Sequence, residues 1–479
     1  MAEIANRSKV SWLSRIGWGF GGWADNYTFS VVGLLYMYIY VDYFKVNPIL
    51  VGMAVAIPRF FDAITDPILG NWSDNFRSRW GRRRPLIIAG AILCGILLPL
   101  HWTPFALDTA GNPWYSNGPF IYFSLIGCVF AVAYTIFIVP YTALGFELTD
   151  DYDERTKVLV WRRYLGLCGS FFTPLVYTLS VNKDLFTDIR TGAVVTSMIA
   201  GFVVMVLGTI PAFTCKENVK ATQKQEKISL WESFKSLVGN WPYMQQIIGF
   251  IIGDLTGGAL ASVQGLLILH YVCHGNETLN GDIQLWMGWL GSGISILSLV
   301  LFSGLSKKFG KREGFIISNF LVAAGYITLF FTMVPSYPYL LMTSFAMIWI
   351  ASQGGGLMLD TMCSDICEYE EYRSGRRVEG MLSAFRSFVR KAVYALSGIL
   401  GGVALVYCGY DANLIGTETT MSEDVFTKLK ALFILVPFVG LLITNALYWF
   451  YPLTRKRMAE IHAELEKRHA EEGLTESAQ

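Results

Sequence analysis

The chain has 479 residues, of which 53% are hydrophobic, 15% aromatic and only 16% charged, with a formal net charge of +1. So little polar surface cannot cover a soluble globule, and so small a net charge gives no field to attract nucleic acid, which leaves a polytopic membrane protein whose surroundings are the lipid bilayer. The eight cysteines are scattered mostly through apolar blocks, as small packing residues are, rather than spaced as a disulfide framework or a zinc site.

The opening stretch, MAEIANRSKVSWLSR, lacks the apolar core and small-residue cleavage site of a signal peptide, so the first membrane helix itself is expected to direct insertion. A window of about twenty residues then finds twelve spans, at 16–40, 49–70, 85–106, 119–144, 160–179, 192–213, 244–273, 285–305, 314–333, 337–362, 380–408 and 426–451. An even number puts both termini on one side. Lys and Arg are rich in the loops 71–84, 214–240, 306–313 and 365–378 and in the tail from 452, whereas the loops 107–118 and 274–284 contain neither. Positive loops stay inside, so both termini are expected in the cytoplasm and the protein in the cell (inner) membrane.

The charged linker 214–243 separates a bundle over 1–213 from a second over 244–454, with a cytoplasmic tail over 455–479. A glycine-bounded basic loop follows the second span of each half, GNWSDNFRSRWGRRRP from Gly70 and GLSKKFGKREG from Gly304, which reads as an internal duplication. Halves related in this way around the membrane normal are the pattern of facilitator transporters, with substrate held near the midplane between them. The expected fold is an all-α membrane protein of twelve transmembrane helices in two six-helix bundles, acting as a monomer.

The second span is apolar, yet it carries Arg59, Asp62 and Asp66. A charge at a membrane-helix centre costs about 3 kcal/mol, so such groups generally face a water-filled path and mark an ion or substrate route. Asp62 and Asp66 are four residues apart and share one helix face, with Arg59 on nearly the same stripe. Two acids against one base leave a surplus negative charge, which suits a cation cage; the competing reading is a set of charges that pair to hold the bundle together.

Three runs carry a family resemblance: DAITDPILGNWSDNFRSRWGRRRP, the segment Tyr134–Arg163 (YTIFIVPYTALGFELTDDYDERTKVLVWRR), and SDICEYEEYRSGRRVEG followed by Lys391. Together they resemble the glycoside–pentoside–hexuronide:cation symporters, the melibiose permease family. The resemblance implies a major facilitator fold, alternating access, and uptake of a small-molecule sugar or glycoside driven by H⁺ or Na⁺, with no cofactor and no metal beyond Na⁺ at the cation site. It assigns Asp62, Asp66 and Thr135 to that cation site. The permease has a further aspartate three residues beyond the hydroxyl where this chain has Ile138, and the loss of one anionic ligand shifts weight toward H⁺. For the substrate the resemblance points to Arg163 and Lys391, and to Asp25 and Asn26 where the permease has a lysine–aspartate pair; Trp23 and Tyr27 lie close enough to stack on a sugar ring. Asp74, Arg82, Arg83, Asp365, Glu368 and Arg377 are expected in charge networks that latch one state and break in the other. A lysolipid or other amphiphile carrier of the same fold is the nearest alternative. An enzyme is not expected, because no nucleophile–histidine arrangement is visible.

Overall fold

The computed structural model describes residues 10–104, 111–146, 148–149, 152–215, 239–374, 379–411 and 422–476. Twelve long helices occupy them in chain order: α1 Trp12–Tyr36, α2 Pro48–Asn75, α3 Arg84–Leu100, α4 Gly118–Phe146, α5 Tyr152–Ser180, α6 Ile189–Thr214, α7 Trp241–Leu267, α8 Glu277–Phe309, α9 Lys311–Thr332, α10 Leu341–Ser374, α11 Glu379–Cys408 and α12 Glu423–Trp449. A further helix, α13, spans Arg455–Glu476. Among the described residues there is no strand.

These twelve helices match the expected spans in order and position. Nine are long and apolar enough to cross a membrane by themselves. Of the other three, α3 is apolar but has only 17 residues, while α1 and α5 are diluted by their own polar residues, Asp25 and Asn26 in one and Arg162 and Arg163 in the other.

Helix starts are set by ordinary capping chemistry. The side chain of Ser11 accepts from Ser14 N–H at α1, Asn47 accepts from Ile49 N–H with Pro48 at the first position of α2, and Asp188 accepts from Thr191 N–H at α6. Each satisfies a donor that the first helical turn would otherwise leave open. Two helices end unusually. α1 runs on into a π-helical segment, Met37–Tyr43, and α7 into another, Ile268–Val272. Just beyond them stand Lys45 (φ 57°) and His274 (φ 49°), two non-glycine residues with left-handed backbone.

By internal packing the chain forms two compact units, one of residues 1–225, 259–292 and 395–429 and the other of residues 226–258, 293–394 and 430–479. The first unit therefore takes in the C-terminal end of α7, the first part of α8, the last part of α11 and the start of α12 beside the first six helices. Its grouping cuts across the halves expected from the linker alone.

Within the first unit α1 packs on α5 and α6, α3 on α4 and α6, and α2 on α4. The α3–α6 approach is backbone to backbone: a Cβ on Gly95 would stand 2.5 Å from the Gly201 carbonyl oxygen, and one on Gly201 would stand 2.2 Å from that of Gly95. With no hydrophobic drive between helices in lipid, such small-residue contacts let dispersion hold them together. The last part of α11 joins α2 in the same manner, since Cβ atoms on Gly398 and Gly402 would meet Gly52 and Pro48.

In the second unit α9 packs on α10, and α13 lies against α10. The α13 side chains Met458, Ile461 and Leu465 are buried. Asn240 donates to Glu370 at 2.7 Å and Tyr243 donates to the Leu382 carbonyl at 2.8 Å, tying the start of α7 to α10 and α11.

Gly95→Val is expected to overpack the α3–α6 seam and cost about 1–3 kcal/mol. Thermal unfolding of the purified protein followed by tryptophan fluorescence should show a midpoint lowered by several degrees, whereas Gly33→Val, at a position with open space around it, should leave it nearly unchanged.

Candidate functional site

One helical turn separates Asp62 from Asp66 on α2, and α4 brings Thr135 against both. The Thr135 hydroxyl oxygen lies 2.7 Å from Asp62 Oδ1 and 3.0 Å from Asp66 Oδ1, and also 3.0 Å from the carbonyl of Ala131 one turn back on its own helix. Asp62 and Thr135 are buried and Asp66 is half-buried. A hydroxyl has one proton to donate, so it serves one of these three acceptors at a time. The cluster is thus a compact set of hard oxygens, rich in acceptors, inside an apolar bundle. Arg59 stays on the same stripe, its guanidinium 4.0 Å over the ring of Phe29. Ile138, one turn further along α4, is half-buried.

Adjacent to Thr135, Tyr134 points toward α1. Its phenol donates to Asp25 Oδ1 at 2.6 Å, and Arg162 Nη2 approaches Asp25 Oδ2 at 3.0 Å. The Arg162 guanidinium also lies 5.5 Å from the Trp18 ring and 5.3 Å from that of Tyr141. Phe29 packs edge-on against Tyr134 at 4.4 Å, so the two polar clusters share an aromatic wall. The Asn26 amide donates to the Gly166 carbonyl of α5 at 3.1 Å.

Asp25 therefore meets Arg162, while its neighbour Arg163 is exposed. Successive residues on a helix differ by about 100°, and the packing of α1 against α5 turns the first of the two arginines inward. Trp23 and Tyr27 sit apart from Asp25, one turn from each other on α1. They line an apolar cavity of about 450 Å³ together with Phe172, Leu175, Phe202 and Leu207 of α5 and α6, and Trp23 stacks on Phe172 at 5.3 Å.

Lys391 is half-buried on α11 in the second unit. Five residues before it, Arg386 pairs with Asp360 of α10 at 2.6 Å.

Of the expected latch residues, Arg377 and the side chain of Asp74 lie outside the described residues. Arg83 is buried and Arg82 half-buried at the start of α3. Asp365 pairs with Lys311 at the start of α9, and Glu368 faces His462 of α13 at 3.1 Å. A further node falls on a residue that the sequence reading passed over. Glu154, at the start of α5, is buried, pairs with Arg15 of α1 and with Lys157 at 2.9 Å, and accepts from Val10 N–H at 3.3 Å. Its signal was the run DDYDERTK, whose acids open a helix.

Twelve long helices with buried ionisable side chains define a membrane transporter of the major facilitator class. The match to a solved D-xylose–proton symporter, with a TM-score of 0.61 at 14% identity over 93% of this chain and 98% of that one, shows the same fold. The chain belongs to the family described as MFS/sugar transport protein, whose model matches residues 17–455. It is similar to a glucuronide carrier protein homolog of Escherichia coli (strain K12), 27% identical over 96% of each chain. It is also similar to an isoprimeverose transporter of Lactiplantibacillus pentosus, 24% identical over 98% of this chain and 95% of the relative. The protein is a transporter and not an enzyme.

Arg162→Ala is expected to leave Asp25 with the Tyr134 phenol alone and cost about 1–3 kcal/mol, the range for removing one partner of a partly buried polar group. The exposed Arg163→Ala should stay within about 0.5 kcal/mol of wild type. Thermal unfolding of the two purified variants, measured side by side, tests the ordering.

Proposed function

We propose that this chain is a symporter that takes up a sugar or glycoside against its gradient by coupling it to an inward-moving cation. It works as a single chain in the inner membrane with both termini in the cytoplasm. The observation that carries the coupling site is the single Thr135 hydroxyl within 3.0 Å of both Asp62 and Asp66. An added proton or alkali ion would stabilise this acceptor-rich set, so cation occupancy and the charge state of α2 are linked. The substrate site is proposed at the neighbouring node: Asp25 with Arg162, whose planar fork of donors suits adjacent hydroxyls or a carboxylate. Asn26 and Arg163 from the same pair of helices are proposed to join it, and Lys391 of α11 is proposed as a further substrate-binding residue. Asp74, Arg82, Arg83, Asp365, Glu368 and Arg377 are proposed as latches at the cytoplasmic ends. The relatives named as carriers of a glucuronide and of isoprimeverose support a sugar as substrate.

The cation is proposed to be H⁺ in preference to Na⁺. Two carboxylates and a hydroxyl hold one proton readily, whereas Ile138 offers no oxygen to complete the shell that an alkali ion needs.

A second reading, transport of a lysolipid or similar amphiphile, draws on the apolar cavity lined by Trp23 and Tyr27, which suits a hydrocarbon chain better than a sugar. The Asp25–Arg162 pair on α1 and α5, apart from that cavity, favours the sugar.

In proteoliposomes, Asp62→Asn and Asp66→Asn should each abolish gradient-driven accumulation while leaving substrate exchange. Full uphill transport by both variants would reject the coupling site. Wild-type uptake should follow an imposed pH gradient at least as strongly as a Na⁺ gradient, and Ile138→Asp should shift the preference toward Na⁺. Wild-type vesicles are expected to take up no radiolabelled lysophospholipid; uptake that Trp23→Ala reduces would reverse the ranking of the two readings.

A further inference from the structure

The two π-helical segments carry one side chain each toward a common point. Asp42 lies in Met37–Tyr43 after α1, and His270 in Ile268–Val272 after α7. His270 Nε2 stands 2.7 Å from Asp42 Oδ2, and both side chains are about nine-tenths buried, at 10% and 11% exposure. A third segment joins them from beyond α11: the Tyr410 phenol donates to the other Asp42 oxygen at 2.7 Å, and its ring lies 6.0 Å from that of His270. His270 and Tyr410, 228 and 368 residues along the chain from Asp42, are thereby tied through one carboxylate.

Polar contacts beside this knot bring in further helices of the first unit. Asn280 of α8 donates to Tyr177 of α5 at 2.6 Å, Gln284 donates to Tyr38 at 3.2 Å, and Thr178 donates to the Gly281 carbonyl at 2.9 Å. The titratable and charged groups around Asp42 and His270 are Tyr410, Tyr38, Tyr177, Cys273, Lys45 and Asp411. Imidazole is the one among them whose ordinary titration falls between about pH 5 and pH 8.

We propose that Asp42, His270 and Tyr410 form a proton-responsive clamp that holds the ends of α1, α7 and α11 together at the end of the helices away from the chain termini. Protonated, the imidazole makes a charge-assisted bond to a carboxylate already fixed by the phenol. Neutral, it loses the ion pair and keeps at most a single N–H···carboxylate hydrogen bond. Acid on that side therefore holds these ends shut, and alkali lets them part. π-Helical turns frequently mark functional sites in helices, and here the two of them supply the two ionisable partners. That this end faces the outside rests on the topology proposed above, but the clamp itself can be tested without it.

The chain contains its own reporters. Cys273 lies three residues after His270 and Cys408 two residues before Tyr410, both buried, whereas Cys168 is exposed. Purified wild-type protein in detergent is to be labelled with isotope-coded maleimide across about pH 5 to pH 8, with each thiol read by peptide mass spectrometry and Cys168 correcting for the intrinsic rise of thiol reactivity with pH. The Cys273 and Cys408 ratios should rise about tenfold toward the alkaline end in the wild type. In His270→Asn they should be high and flat, and in Tyr410→Phe raised throughout with the pH slope retained.

A wild-type ratio that does not change with pH overturns the proposal, and so does a His270→Asn variant that keeps the wild-type slope. Because labelling needs neither substrate nor gradient, a flat profile counts against the clamp alone, whereas loss of uptake in the Asp62 and Asp66 variants bears only on the coupling site. Should His270→Asn fail to stay monodisperse, His270→Gln and the wild-type profile carry the same decision.

Discussion

Placing charge among twelve apolar helices is costly, and the first unit meets that cost by letting a few side chains serve several partners. The Thr135 hydroxyl stands between Asp62, Asp66 and its own helix. Asp25 is reached by a phenol on one oxygen and a guanidinium on the other. Groups bound in this way tolerate little displacement, because a lost contact leaves a charge without solvent to replace it. The glycine seams of α3 with α6 and of α2 with α11 hold the frame in which those partners meet.

The adjacency of Tyr134 and Thr135 has mechanical content. Consecutive residues on α4 point about 100° apart, so a single turn of helix presents one side chain to the carboxylates of α2 and the next to Asp25 on α1. A small rotation of α4 displaces both at once. The pair of aspartates and Asp25, which we propose for cation and substrate, are thereby connected through a rigid element. Arg59, over the ring that also packs on Tyr134, adds a second physical connection between the same two places.

Much of this was legible in the sequence because it depends on short-range chemistry. Hydropathy located the helices, including α1 and α5, whose own polar residues dilute them. The i, i+4 spacing of Asp62 and Asp66 put both on one face. Choosing between Arg162 and Arg163 was beyond local reasoning, since adjacent arginines in one helix have nearly the same sequence context and only the packing of α1 against α5 decides which turns inward. The π-helical ends were equally hidden, because nothing in YMYIYVDYF or LILHYVC distinguishes a wider turn from an ordinary one. Asp42, His270 and Tyr410 sit far apart in the chain, and their meeting is a property of the fold. A weak hint did exist, in that Asp42 and His270 are ionisable groups at the ends of otherwise apolar spans.

The docked α13 bears on how the protein can be handled. The segment after α12, which reads from sequence as a short charged helix with a frayed end, is a helix whose Met458, Ile461 and Leu465 are covered and whose His462 touches α10. Anything fused behind α13 follows a helix whose first part is seated, so its starting point is set there rather than by a free tether. Trimming back toward residue 455 to shorten the polypeptide would remove Met458, Ile461 and Leu465 together with the His462–Glu368 contact, uncover what they cover, and so trade a tidier terminus for a surface prone to self-association.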